Sequence, residues 1–342
     1  MLNIQSHVSL KPYNTFGIDA DARYWVEINH EDDLRTLLHL TEFVHTPKLI
    51  LGGGSNVLLC RSFDGLVVKM SIPGIDLVRE TDEHVYLRAG AGVNWHELVV
   101  HCVERNYAGL ENLSLIPGTV GAAPLQNIGA YGVELEQVFD SLTAVHLTTG
   151  ETRTFSRAEC GFGYRESVFK RDLKGQYIIT SVLFQLDKHP TFHTRYGAIA
   201  ETLAGMNVAD DALSIRAISE AVIQIRRSKL PDPAQIGNAG SFFKNPEIPA
   251  AQFDALKAQY PTLPGYPLAD TDRIKVPAGW LIEQAGWKGY RDGDAGVHDK
   301  QALVLVNYGN ATGEQILNLA RQVQASVRDK YGIEITPEVN VI

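Results

Sequence analysis

Short apolar runs bounded by Gly, Pro and polar residues alternate in this chain with stretches in which apolar residues recur every three to four positions. The runs predict strands near residues 48–51, 65–70, 84–89, 141–148 and 177–186. The longer spacing predicts helices near 31–44 and 94–107, the second with Trp95, Leu98, Val99, Cys102 and Val103 facing inward. Ile215, Ile218, Val222 and Ile225 mark a further helix that ends just before Lys229. Thr312-Gly313-Glu314-Gln315 reads as a capping box opening a last helix, with Ile316, Leu319, Val323 and Val327 as its inward stripe and Gly332 as its stop. From Ile333 to Ile342 a strand alternation would put Val339 and Val341 on one face and Glu338 and Asn340 on the other. The expected class is α+β with mixed sheets.

A chain of 342 residues exceeds what one core usually organises, so two or three domains are expected. Its formal net charge of −9 argues against a nucleic-acid or anionic-membrane partner. The three cysteines, Cys60, Cys102 and Cys160, are widely spaced, which excludes a disulfide framework or a CxxC zinc site. No signal-peptide pattern opens the chain and no apolar stretch approaches ~18 residues, so a reducing cytoplasm is expected. His96-Glu97-Leu98-Val99-Val100-His101 resembles a zinc-protease helix, but histidines five apart point about 140° away from each other and cannot share a metal from one helix face.

The chemistry concentrates in small-residue segments. Asn238-Ala-Gly-Ser-Phe-Phe-Lys-Asn-Pro246 predicts a tight loop holding the Ser241 hydroxyl and the Lys244 ammonium, although a single serine more often caps a turn. Gly52-Gly53-Gly54-Ser55-Asn56 follows the apolar run Leu49–Leu51, where bare backbone N–H groups can form an anion-binding nest. Its spacing fits neither a dinucleotide fingerprint nor a P-loop. The segment 116–132 carries four glycines and two prolines, so its backbone is expected to touch something flat or phosphorylated. Four further motifs follow: Gly163-Tyr-Arg-Glu-Ser-Val-Phe-Lys170, Arg226-Arg-Ser-Lys-Leu-Pro-Asp-Pro233, Ala278–Gly286 and Pro337-Glu338-Val339.

Taken in this order, from Asn14-Thr15-Phe16-Gly17 to Glu338, the motifs resemble the UDP-N-acetylenolpyruvoylglucosamine reductases, the FAD-dependent MurB enzymes of cell-wall precursor synthesis. The resemblance implies two FAD-binding subdomains of the vanillyl-alcohol-oxidase/PCMH type, about 1–72 and 73–212, and a C-terminal α+β substrate domain, 213–342. It implies noncovalent FAD, NADPH as reductant, a UDP-sugar substrate and no metal; a monomer is expected. Gly52, Gly53, Gly54, Ser55 and Asn56, with Pro117, Gly118, Gly121, Asn127, Gly129, Ala130, Tyr131 and Gly132, would hold the FAD. Ser241 would be the proton donor, while Arg165 and Glu338 stabilise the enolic intermediate. Tyr196, Lys229 and Asn245 would bind the diphosphate, joined at the substrate by Lys288 and Gln301. Thr194-Arg195-Tyr196-Gly197, within a lid segment near 190–205, looks like the longer subclass with a tyrosine lid. A different flavoenzyme of the same architecture, an oxidase or dehydrogenase of an alcohol or hydroxy acid, would have no reason to carry Ser241 and Glu338 together with the Lys229 motif. A non-catalytic flavin or nucleotide-sugar binding module would retain the glycine loops but could lose the acid residues, and the presence of all three catalytic candidates disfavours it.

Overall fold

The computed structural model describes residues 2–269 and 271–342, and the chain forms two compact units. The first comprises Met1–Val8, Ala22–Gly54 and Phe63–Ser228, and the second Ser9–Asp21, Ser55–Ser62 and Lys229–Ile342. The change of unit therefore falls at Ser228/Lys229 instead of the expected 212/213, and two N-terminal segments count with the C-terminal part. Sequence order alone gives no sign of this.

Within the first unit, a four-stranded sheet has the order Gln5–Ser9, Asp21–Ile28, Phe63–Met70, Lys48–Leu51. Phe63–Met70 pairs in parallel with both Asp21–Ile28 and Lys48–Leu51. The central strand Phe63–Met70 is buried from Gly65 to Val68, and Val26, Ile28, Leu66 and Val68 lie in one buried cluster with Leu34 and Leu37 of helix Glu31–Leu38. That helix stops earlier than its apolar pattern predicts. Leu40 takes an extended backbone, which interrupts the helical hydrogen bonds and lets Phe43, in the short turn Thr41–Phe43, pack edge-on to Tyr24 at 5.2 Å.

The expected boundary at 72/73 falls between this sheet and the next in sequence. The second sheet is antiparallel, ordered Thr152–Ser156, Phe139–His146, Tyr177–Asp187, His84–Gly90, Ile75–Glu80. Helix Trp95–Glu104 buries Trp95, Leu98, Val99, Cys102 and Val103, the face its spacing predicts, and Asn94 caps it by accepting from the His96 and Glu97 amides.

In the second unit, Gly237–Ser241, Val304–Asn307, Ala295–Val297 and Arg291–Asp292 form an antiparallel sheet. Helix Gly313–Tyr331 opens on the Thr312/Gln315 capping box, with reciprocal bonds of 3.2 and 2.8 Å, and ends at Gly332 with φ 63°. The C-terminal alternation is only half right. Val339 is 5% exposed, but Val341 is 41% exposed and cannot be an apolar anchor. The last strand is short, Asn340–Val341, and pairs in parallel with Val57–Leu58; its backbone bonds, not a second valine, secure it.

Candidate active site

In the first unit the two glycine-rich segments interlock. A Cβ on residue 53 would come within 2.8 Å of the Gly118 Cα, and one on residue 52 within 2.6 Å of the Thr119 Oγ1. Only glycine permits such approach. The second segment is in turn threaded along residues 91–95: Trp95 N donates to the Gly118 carbonyl (3.0 Å), Val120 N to Val93 (2.9 Å) and Gly121 N to Ala91 (3.0 Å). Lys69 donates to the Gly52 carbonyl at 2.7 Å, and burial lowers its pKa. The buried Thr119 hydroxyl has no hydrogen-bond partner among the described residues. Interlocked glycines, an adjacent lysine and a buried hydroxyl with capacity to spare make a cradle whose donors suit a phosphate-bearing planar cofactor, so the residues fit FAD.

Beside this cradle, Gly129–Ala130 and Val133–Glu134 form a two-residue hairpin with Tyr131 at φ 51° and Gly132 at φ 81°, the mirror-image turn that suits strand twist. Arg165 also takes a left-handed backbone (φ 56°), inside a turn closed by reciprocal Gly163–Glu166 backbone bonds of 3.1 and 3.0 Å, and donates to the Gly129 carbonyl at 2.8 Å. Arg226, near the end of helix Ile215–Lys229, donates to the Leu115 carbonyl at 3.2 Å and bonds the Tyr131 side chain. Burial lowers the Arg226 pKa; Tyr131 opposes this and the Arg165 charge reinforces it. Tyr196 is 58% exposed, and a Cβ on residue 132 would come within 3.3 Å of its Cβ. Asn112 donates to both the Tyr131 (3.0 Å) and His193 (2.8 Å) carbonyls, tying the 190–205 segment to the hairpin.

In the second unit, Ser241 is not on a loop but ends strand Gly237–Ser241, opposite Val304. The register shifts between Asn238 and Ser241, with Gly240 at φ 70°, and this bulge re-aims the strand end. Ser241 is exposed while Phe242 and Phe243 behind it are 0% and 1% exposed. Glu338 lies next to this strand end: its amide donates to the Phe242 carbonyl (2.8 Å) and Lys244 N donates to Thr336 (2.9 Å). On its other side Asn56 Nδ2 donates to the Glu338 carbonyl (3.4 Å) and Asn340 N to the Asn56 carbonyl (3.1 Å). The Asn14–Gly17 motif supports the same strand. Asn238 N donates to the Thr15 carbonyl at 2.9 Å, Phe16 packs edge-on to Phe242 at 6.4 Å, and a side chain at 237 would strike the Phe16 carbonyl.

Comparison with known proteins is decisive at this point. Residues 22–156 match the FAD binding domain family and residues 232–342 the C-terminal domain of UDP-N-acetylenolpyruvoylglucosamine reductase. The proteins of that name from Amoebophilus asiaticus and Flavobacterium johnsoniae are 53% and 50% identical over 341 and 342 residues, covering 100% of each chain. The chain belongs to the UDP-N-acetylenolpyruvoylglucosamine reductase family. The crystal structure of the Thermus caldophilus member shares the fold, with a TM-score of 0.69 at 24% identity over 100% of this chain and 99% of that one.

The remaining residues expected at the site of this family member are placed unequally. Lys229 is the exposed last residue of its helix, and Asn245 accepts from Ala278 N at 3.0 Å, at the start of helix Ala278–Gln284. Lys288 is paired with Glu283 at 2.9 Å, and Gln301 accepts from Leu303 N at 3.4 Å. Asn127, expected at the cofactor, is fully buried with its side-chain amide engaged by Glu134, Gly163 and Glu136. Its side chain therefore serves the protein's interior. His96, part of the zinc-like sequence, accepts from Leu115 N through Nδ1 at 3.0 Å, and burial, with the charges of Arg227 and Arg226, lowers its pKa. Three residues had no expected role: Thr119, Arg226 and Asn112. Arg226 stands in a cationic motif, so its type was a signal; the other two have neighbours set by pairing between distant segments.

Proposed function

We propose that the chain reduces the enolpyruvyl ether of UDP-N-acetylglucosamine to UDP-N-acetylmuramate, as a flavin-dependent oxidoreductase drawing on NADPH for peptidoglycan precursor synthesis. The observation that carries this is the full-length relationship to reductases of that name, together with a glycine cradle that fits FAD. Bound FAD supplies a two-electron carrier that accepts hydride from NADPH and returns it to the terminal carbon of the enolpyruvyl group.

The protein's own groups handle the rest. As hydride arrives, negative charge spreads from the second carbon into the substrate carboxylate, and a proton must then reach that carbon. Arg165, fixed to the Gly129 carbonyl, offers the cation for the carboxylate. Ser241 gives the proton, and the resulting alkoxide needs stabilisation, for which Lys229, Lys244 and Asn245 are candidates. Glu338, anchored beside the serine through its backbone, stabilises the enolic form. Lys229, Asn245 and Tyr196 take the diphosphate, with Tyr196 as the tyrosine of the longer subclass; Lys288 and Gln301 join the substrate set. The interlocked glycines, Pro117, Ala130, Tyr131, Ser55 and Asn56 hold the cofactor. The enzyme acts as a cytoplasmic monomer; no described helix is long and apolar enough to cross a membrane.

The test is to add NADPH and then the UDP-enolpyruvyl sugar to the purified protein while following flavin absorbance. Bleaching by the first and recovery with the second is the expected result. A protein without flavin, or reduced flavin indifferent to the sugar, overturns the reading.

A further inference from the structure

The turn that carries Arg165 is held at both ends by one short segment. At its start the Gly163 carbonyl accepts from Asn127 Nδ2 at 3.2 Å; at its end the fully buried Ser167 hydroxyl donates to the Leu125 carbonyl at 2.7 Å. Leu125 belongs to the 3-10 segment Val120–Gln126, which Asn127 terminates in a left-handed conformation, φ 42° and ψ 63°, that Asn tolerates better than most residues. Asn127 is 0% exposed, and its side-chain amide makes three hydrogen bonds: Nδ2 donates to Glu134 Oε2 (2.9 Å) as well as to Gly163, and Oδ1 accepts from Glu136 N (3.0 Å). The amide N–H of Glu136 and the carbonyl of Gly163 fix which way the Asn127 amide faces. One side chain therefore joins the glycine segment, the hairpin after Gly129 and the Arg165 turn. Gly129, whose carbonyl receives the Arg165 guanidinium, sits inside the same knot, where a Cβ would come within 2.9 Å of Glu134 and 3.2 Å of Arg165.

Arg165 itself is in a strained left-handed conformation, which persists only where the surroundings over-determine it. We propose that Asn127 is a positioning residue for Arg165, fixing the Gly163–Ser167 turn and the Gly129 carbonyl together so that the guanidinium stands ready for the substrate carboxylate. This rests on the role given to Arg165 above. The Asn127 side chain bonds Glu134, Gly163 and Glu136, and acts through the arginine.

The role of Arg165 predicts that the protein discriminates UDP-N-acetylmuramate, which has the carboxylate, from UDP-N-acetylglucosamine, which lacks it. Calorimetric titration of both ligands into the FAD-loaded protein measures that discrimination without turnover. Asn127→Gly keeps the left-handed backbone and removes only the side-chain ties. It should weaken the muramate ligand ~10-fold or more, leave the glucosamine ligand within ~2-fold, preserve FAD content, and slow reoxidation ~10- to 100-fold, the scale of a misplaced group. In an Arg165→Ala background the same change should cost nothing further, since both act on one contact. Ser167→Ala, at the turn's other end, should give the same pattern more weakly and decides the matter if Asn127→Gly does not fold. If Arg165→Ala retains full discrimination, the role of Arg165 falls and this inference with it. If Arg165→Ala loses discrimination but Asn127→Gly keeps it, weakens both ligands alike, or adds its loss to that of Arg165→Ala, Asn127 is an ordinary core residue and Arg165 keeps its role.

Discussion

The two units hold their functional groups by different means. Around Arg165 in the first unit, position comes from polar ties and unusual backbone: Asn127, Tyr131 and Arg165 are all left-handed, and Asn112, Asn127 and Arg226 bond carbonyls of other segments. Around Ser241 in the second, position comes from apolar backing, with Phe242, Phe243, Phe16 and Val339 all at most 5% exposed while Ser241 faces solvent. The difference follows from what is held. A long, flexible side chain takes its direction from bonds made at several points. A short hydroxyl on a strand end inherits its place from the strand.

This contrast predicts unequal responses to substitution. Removing the backing in the second unit should be the most damaging. Phe242→Ala leaves a cavity under Ser241 and should lower stability by about 3–5 kcal/mol, the usual cost of such a truncation. Urea unfolding measures it, and a loss under about 1 kcal/mol would mean the serine does not depend on that core.

Glu338 tests the other half of the statement, because its amide is tied to the strand end that carries Ser241. Glu338→Gln should therefore keep the fold, the FAD and its reduction by NADPH, yet slow reoxidation by the enolpyruvyl sugar ~10²-fold or more. Near-normal turnover would reduce Glu338 to a surface carboxylate. The diphosphate contacts should be read in affinity: Lys229→Ala and Tyr196→Phe are expected to cost about 1–3 kcal/mol in UDP-sugar binding, with FAD content unchanged. Calorimetry with the product that finds no loss in either variant would take both residues out of the site.

The smallest effect concerns the polar framework of the first unit. His96 must stay neutral at Nδ1 to accept from Leu115, and its folded pKa lies below the ordinary value of 6.5. The unfolded chain therefore takes up the proton first, so the contribution is complete above the unfolded pKa and is lost as pH falls from there toward the folded value. Thermal unfolding followed from neutral to mildly acid pH should show a smaller decline for His96→Gln than for the parent; an equal decline would assign the acid sensitivity elsewhere.

Much of this was legible in the sequence, for reasons specific to each element. The helix containing Trp95 and the helix after Thr312 announce themselves because amphipathic spacing and caps are local properties. The small-residue segments at 52–54 and 117–132 stand out because close backbone approach demands them. What stayed hidden depends on pairing between distant parts. Ser241 appeared to sit on a loop because Gly240 and Asn238 are turn formers, yet the partner strand Val304–Asn307 draws them into a bulged strand. Val341 fits the alternation, but its segment pairs with the two-residue strand Val57–Leu58 and leaves it exposed. Asn14–Gly17 gave no hint of supporting Ser241, because that contact joins residues more than two hundred positions apart. The left-handed backbone of Arg165 is likewise invisible, since arginine carries no preference for it.

In the proposed reaction the second unit supplies the proton through Ser241, and the hydride comes by way of FAD. Rapid mixing of Ser241→Ala, first with NADPH and then with the UDP-enolpyruvyl sugar, tests it most directly. Flavin reduction should proceed at the parent rate while reoxidation slows ~10²-fold or more, the scale of losing a positioned acid. Equal slowing of both steps, or of neither, would contradict the assignment of the proton to Ser241.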